Sequence, residues 1–195
     1  MKLLTESDFV RAAETIGCSI PAIKAVCQVE APAGGFDAAG MPRILFEGHT
    51  FSRLTGGIYD KSNPTVSYPR WVRTFYARGA NADSRNTGEH ARLAEAAALD
   101  RDAALQSASW GKFQIMGENY KVAGFASLQK FINAMYASEG AHLDAFVGYV
   151  MSTGLADELR DRKWAEFARR YNGPAYAENQ YDVKMASAYN QLVAT

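Results

Sequence analysis

Only two cysteines, Cys18 and Cys27, occur in 195 residues, too few for the disulfide framework of a small secreted scaffold. Along a helix their separation rises about 13 Å, too far for a bridge, and Cys27 reads as a small core residue. Histidine is as scarce: His49, His90 and His142 are scattered without zinc-like spacing, so no metal or other cofactor is expected. There is no excess of charge, with 21 basic and 21 acidic side chains, hence no global field to draw the protein to nucleic acid or to an anionic membrane. No stretch reaches membrane-spanning length, and Met1 to Asp8 lacks the apolar centre of a secretory signal. A product made in the cytoplasm, without stable membrane association, is the expectation. No repeat or low-complexity tract interrupts the chain. What is present is ordinary globular composition, 48% hydrophobic and 22% charged, enough to bury a core without staples. One domain over residues 1–195, monomeric, follows.

The patterning is mostly helical. Thr5 with Glu6, Ser7 and Asp8 reads as an N-cap and an acidic first turn, followed by the stripe Phe9, Ala12, Ala13 and Ile16 up to Gly17. Ser19 and Pro21 open a second helix. Residues 31–42 read as a glycine-rich loop, and Arg43 to Phe46 as a short strand. Residues 55–86 are rich in turn formers but interleaved with Tyr59, Tyr68, Trp71, Phe75 and Tyr76, the mark of an ordered segment and not a linker. Helices are expected over 88–98, 100–107, 127–138, 139–152, 163–171 and 177–193. The fold class is mainly α, an α+β arrangement with a small β element near residues 43–47.

Within this pattern Glu30 stands out. Cys27, Val26 and Ile23 precede it by three, four and seven residues, so its carboxylate lies on the apolar face of its helix. Desolvation there disfavours the charged form and raises the pKa towards the range of a general acid. The loop that follows leaves the helix end accessible. The competing reading is a buried carboxylate held by an arginine, with Arg43 the candidate. Glu47, fixed at the end of the short strand, is a second carboxylate, alternatively a salt-bridge partner of Arg43 or Arg53. His49, two residues on, is placed to bond to it.

Two further segments carry amide groups suited to hydrogen bonding with sugars: Gly111-Lys112-Phe113-Gln114-Ile115, and Tyr171-Asn172-Gly173 at a helix end. With Glu30, they resemble the lysozyme superfamily. The fuller set, Val29-Glu30, Arg43 to Phe51, Ala108 to Gly117 and Tyr171 to Pro174, resembles the N-acetylmuramidase domain of phage endolysins, in the same order and over most of the chain. That resemblance implies cleavage of the β-1,4 bond between N-acetylmuramic acid and N-acetylglucosamine in peptidoglycan glycan strands. Glu30 would be the general acid and Glu47 the second catalytic carboxylate. Ser109, Gln114, Tyr171, Asn172, Tyr181 and His49 would bind substrate; for Tyr171, Tyr181 and Trp110, core packing is the alternative. Many such endolysins carry a separate wall-binding module, for which this chain has no room. An endolysin would accumulate in the host cytoplasm and reach the wall through holes made by a second protein. A lytic transglycosylase, or a wall-binding module without chemistry, is the alternative function.

Overall fold

The computed structural model describes residues 2–30 and 34–194; residues 31–33 of the expected loop lie outside the described residues. Helix α1 (Glu6–Ile16) starts where the acidic first turn places it. The Asp8 carboxylate accepts the Thr5 N–H at 2.9 Å, and Gly17, at φ 78°, closes the helix in a left-handed conformation that glycine adopts without steric cost. Helix α2 (Ile20–Glu30) turns Ala22, Ile23, Val26 and Cys27 into the core. The C-terminal helix α10 (Tyr181–Val193) lies along α2 and against α9 (Trp164–Asn172), so the end of α2 is enclosed by chain from the other terminus.

Strand β1 (Ile44–Phe46) is the first of three short antiparallel strands in the order β1-β2-β3, with β2 at Ala108–Trp110 and β3 at Ile115–Met116. Leu45 faces Ser109, and Trp110 faces Ile115. The glycine-bounded segment 109–117 is therefore a hairpin. Trp110 is buried, with Nε1 donating to the Leu105 carbonyl at 3.1 Å. It is a core residue, which decides its competing readings.

Between β1 and β2 come α3 (Gly48–Leu54), α4 (Ala82–Leu99) and α5 (Arg101–Gln106). Helix α3 was not expected from the sequence, because seven residues give too short a window for its periodicity. Helix α4 begins six residues before the expected Gly88, because Asn81 and Ser84 cap each other: Ser84 N–H donates to Asn81 Oδ1 at 2.9 Å and Asn81 N–H to Ser84 Oγ at 3.2 Å. Such a reciprocal cap outweighs the roughly 1 kcal/mol that an interior glycine costs. Gly88 is needed for another reason, since a Cβ there would stand 2.7 Å from that of Ala77.

The segment before α4 contains neither strand nor α-helix, only a 3-10 turn at Arg73–Phe75. It is ordered by its aromatics, as expected: Phe51 stacks on Tyr59, Tyr68 meets Phe75 at 4.5 Å, and Trp71 meets Tyr76 at 5.6 Å. Helices α6 (Leu128–Ala137), α7 (Glu139–Ser152) and α8 (Ala156–Arg160) complete the chain up to α9. Short α8 was also not anticipated. Helix α10 starts at Tyr181 and not Ala177, a 3-10 turn occupying 174–177. The core gathers Phe46, Phe51, Trp110, Phe131, Phe146 and Phe167, confirming a mainly helical fold with a small sheet.

Candidate active site

Glu30 is the last residue of α2, and among the described residues one hydrogen bond holds it: Asn172 Nδ2 donates to Oε1 at 2.7 Å. Asn172 ends α9, which Gly173 stops at φ 81°. Burial raises the Glu30 pKa, and the amide of Asn172, which favours the charged form, offsets only part of that rise. The expected alternative of an arginine clamp fails, because Arg43 Nη2 pairs with Asp83 at 2.8 Å. Tyr171, one residue before Asn172, packs among Phe146, Tyr149 and Phe167. Its hydroxyl donates to the Phe113 carbonyl at 3.2 Å. Burial first, and Glu30 second, push the phenol pKa well up. This aromatic wall is one cause of the desolvation Glu30 experiences.

Two cavities meet at Glu30. One, about 420 Å³, is lined by Glu30, Arg43, Leu45, Tyr76, Glu89 and Gln114 among others. The other, about 450 Å³, is lined by Glu30, Gln114, Met116, Asn119, Tyr149, Tyr171, Asn172 and Tyr181. Among the described residues Glu30 and Gln114 alone belong to both linings. The carboxyl thus sits at the waist of a groove with room on either side, the arrangement an acid needs to reach the middle of a polymer rather than its end.

The hairpin supplies the floor of the waist. Gly111 and Gln114 both take positive φ, 71° and 50°, and Gly111 N–H donates to the Arg43 carbonyl at 2.7 Å. The Gln114 amide closes the turn on itself: Oε1 accepts from Ser109 Oγ at 2.9 Å, and Nε2 donates to the Gly111 carbonyl at 2.8 Å. Ser109 is buried and lines neither cavity. Its hydroxyl, like the amide of Gln114, is committed to the shape of the turn.

Glu47 sits between β1 and α3. Tyr76 donates its hydroxyl to Glu47 Oε2, and His49 Nδ1 lies 3.3 Å from the same oxygen without hydrogen-bond geometry. Burial, then Glu47, raise the Tyr76 pKa, so the phenol keeps its proton. Neither arginine expected beside Glu47 is there: Arg43 holds Asp83, and Arg53 pairs with Glu118 at 2.6 Å. Glu47 lines neither cavity beside Glu30; Tyr76, which donates to it, lines the first.

A family model described as N-acetylmuramidase matches residues 19–193. The chain belongs to the N-acetylmuramidase family. Among solved structures, the crystal structure of Burkholderia AP3 phage endolysin matches with a TM-score of 0.90 and 37% sequence identity, covering 100% of this chain and 73% of that one. No curated protein matches. Membership makes this chain a glycoside hydrolase of the lysozyme type, acting on peptidoglycan.

The muramidase groove also depends on buried charges that the sequence reading passed over. Glu89, 3% exposed, accepts the Phe46 N–H at 3.0 Å, the Ala77 N–H at 2.5 Å and Arg92 Nη1 at 2.9 Å. It ties β1 to the far wall of the groove. Glu139 accepts the Gly35 N–H at 2.6 Å and lies 3.8 Å from Lys112 Nζ. His142 accepts the Lys112 N–H on Nδ1 at 3.0 Å and donates from Nε2 to the Met135 carbonyl at 2.8 Å. It also stacks on Phe36. A Cβ at Gly35 or Gly111 would fall 2.4 or 2.8 Å from His142 Nδ1, so both glycines are there to let the chain pass. The spacing that marked Glu30 marks these two as well: Leu93 and Ala96 follow Glu89 by four and seven residues, and Leu143 and Phe146 follow Glu139 likewise. What separates them is the donors: among the described residues Glu89 has three and Glu30 one. Among the described residues no group of three His, Cys, Asp or Glu is placed to hold a metal ion, and no helix is long and apolar enough to cross a membrane.

Proposed function

We propose that the protein hydrolyses the β-1,4 bond between N-acetylmuramic acid and N-acetylglucosamine in peptidoglycan, with Glu30 as the general acid. The observation that carries this reading is the position of Glu30 at the waist of the groove, desolvated and held by Asn172, its one donor among the described residues. Burial favours the protonated form, and the carboxyl delivers its proton to the glycosidic oxygen as the bond breaks and charge develops on the sugar ring. Asn172 keeps Oε1 in place and stabilises the carboxylate that proton transfer leaves behind. Gln114 and Ser109 hold the floor against which a sugar rests, and Tyr171 and Tyr181 line the other side.

Glu47 is the second carboxylate of the proposal. Tyr76 donates to Oε2, with His49 Nδ1 beside that oxygen but not hydrogen-bonded to it, and Oε1 is the oxygen proposed to take a proton from the attacking water. His49 contributes through Glu47. Residues 1–195 are read as one catalytic domain, monomeric, acting on the wall of the host cell after release from its cytoplasm and causing lysis.

One observation favours a lytic transglycosylase as the second reading. Besides Glu30, the first cavity has Glu89 in its lining and the second has no other carboxylate among the described residues; the oxygens of Glu89 are occupied by backbone N–H groups and Arg92. Chemistry with a single carboxylate, closing the muramyl 6-hydroxyl onto C1, needs no second one. Product analysis of digested sacculi separates the two: reducing ends for hydrolysis, 1,6-anhydromuramic ends for the transglycosylase. Beside it, Glu30→Gln is expected to abolish wall clearance while circular dichroism remains that of the parent. A folded Glu30→Gln protein that clears sacculi at the parent rate refutes the assignment of the acid. Glu47→Gln should lose hydrolysis at least 100-fold if Glu47 activates water, and only a few-fold if a single carboxylate suffices.

A further inference from the structure

The groove does not end at the two cavities beside Glu30. A third, about 620 Å³, is lined by Leu45, Trp71, Arg73, Thr74, Tyr76, Ala77 and Arg78, and it shares Leu45, Tyr76 and Ala77 with the first. Its charge is of one sign. From Lys61 to Ala82 the sequence has Lys61, Arg70, Arg73 and Arg78 and no acidic residue, in a chain with no net charge. Arg73 and Arg78 are exposed, and neither has an acidic partner among the described residues. No carboxylate lines this cavity among the described residues; Glu47 and Glu89 approach it as acceptors of the Tyr76 hydroxyl and the Ala77 N–H. Beside the arginines, Trp71 is 59% exposed and tilted against Tyr76, an apolar face left open in a segment whose other aromatics are packed.

This combination suits a ligand that is anionic and carries some apolar surface. The sugar backbone of peptidoglycan is neutral once its lactyl carboxyl is amide-linked; the carboxylates belong to the stem peptide. We propose that the Trp71–Arg73–Arg78 cavity is a subsite for the stem peptide, in which Arg73 and Arg78 bind its carboxylates and Trp71 covers its alanyl methyl groups. The inference rests on the muramidase reading and deepens it: the enzyme would distinguish peptide-bearing glycan from bare glycan. The arginines meet the carboxylates with planar, two-donor geometry, and their exposure keeps each contact modest.

The test uses the full chain with three substrates: intact sacculi, glycan stripped of stem peptides by an amidase, and sacculi whose free carboxyls have been amidated. Release of new glycan ends is measured as kcat/KM, counting reducing and anhydro ends together. Arg73→Ala/Arg78→Ala should lose about five- to ten-fold on intact sacculi, from two exposed charge pairs, and markedly less on the other two substrates. Arg73→Lys/Arg78→Lys should recover part of the loss. Trp71→Ala should discriminate against intact sacculi in the same direction. Equal losses on all three substrates, or no loss on intact sacculi, overturn the subsite while the parent still cleaves. A loss that tracks covalently attached phosphate polymer instead of peptide also overturns it. If the parent releases no ends from any substrate, the muramidase reading falls and the subsite with it.

Discussion

Glu89 is the most exposed point of failure in this fold, because one carboxylate joins three partners from different parts of the chain. Glu89→Ala removes the acceptor of the Phe46 N–H, of the Ala77 N–H and of Arg92. Phe46 is fully buried, so its N–H has no water to turn to, a loss of about 1–3 kcal/mol. Ala77 is half-buried at the edge of the groove, and water can replace the carboxylate there at small cost. Breaking a buried ion pair ordinarily costs about 3–5 kcal/mol. Arg92 escapes the full penalty because the Phe46 carbonyl at 3.1 Å and the Tyr68 hydroxyl at 3.0 Å still accept from it. The sum expected is therefore about 3–4 kcal/mol, near the low end of the two contributions together. For a chain of this size about 1 kcal/mol moves the melting temperature by roughly 2–4 °C, so the drop should be of the order of 10 °C by calorimetry. Equilibrium unfolding in guanidinium chloride, followed by tryptophan fluorescence, gives the free energy directly. Glu89→Gln, which keeps the shape and one acceptor, should cost roughly half as much. A Glu89→Ala loss below about 1 kcal/mol would refute the argument, since it would mean that neither the orphaned N–H nor the unpaired guanidinium matters.

The remaining predictions concern titration. Removing the Asn172 amide deprives the Glu30 carboxylate of a hydrogen bond that favours its charge; in Asn172→Ala the alkaline limb of the kcat/KM profile should move to higher pH, and an unmoved limb would dissociate the limb from Glu30. Because the folded-state pKa of Glu30 is raised above 4.5, the folded protein holds a proton the unfolded chain has lost, and stability falls as pH rises from there through the folded value. Glu30→Gln should therefore melt above the parent at pH 7, with the difference closing below about pH 4. His142 behaves in the opposite sense. Burial lowers its pKa below 6.5, with Glu139 working against that and Lys112 and Lys2 adding to it, so the unfolded state takes up the proton first and stability falls as pH drops through 6.5. Melting curves between pH 7.5 and 5 should show this slope in the parent and a shallower one in His142→Phe, which is less stable throughout; equal slopes would assign the acid sensitivity elsewhere.

Helix-forming periodicity, caps and breakers are local properties, and they made α1, α2, α6, α7 and α9 legible within a residue or two. The errors lie where local rules compete. At α4 a reciprocal cap outweighed an interior glycine, and α3 and α8 are too short for periodicity to register. The site divides in the same way. That Glu30 is desolvated follows from Ile23, Val26 and Cys27 on one helix face, a relation within twelve residues. That Asn172 is its partner joins positions 142 apart, and only the packing of α10 along α2 and α9 brings them together.

The sequence by itself determined a mainly helical fold with a small strand, a carboxylate on an apolar face, and residues in the order of the N-acetylmuramidase family. Spacing alone could not distinguish Glu30 from Glu89 and Glu139, which stand on apolar faces of the same kind. Tertiary structure decided between them by the number of donors it aims at each carboxylate. Glu89, with three donors, is pinned, and Glu139 is bound to the backbone of Gly35 and paired with Lys112. Glu30 has Asn172 as its one donor among the described residues, a cavity on either side, and a pKa that burial raises, the combination on which its proposed role as the acid rests.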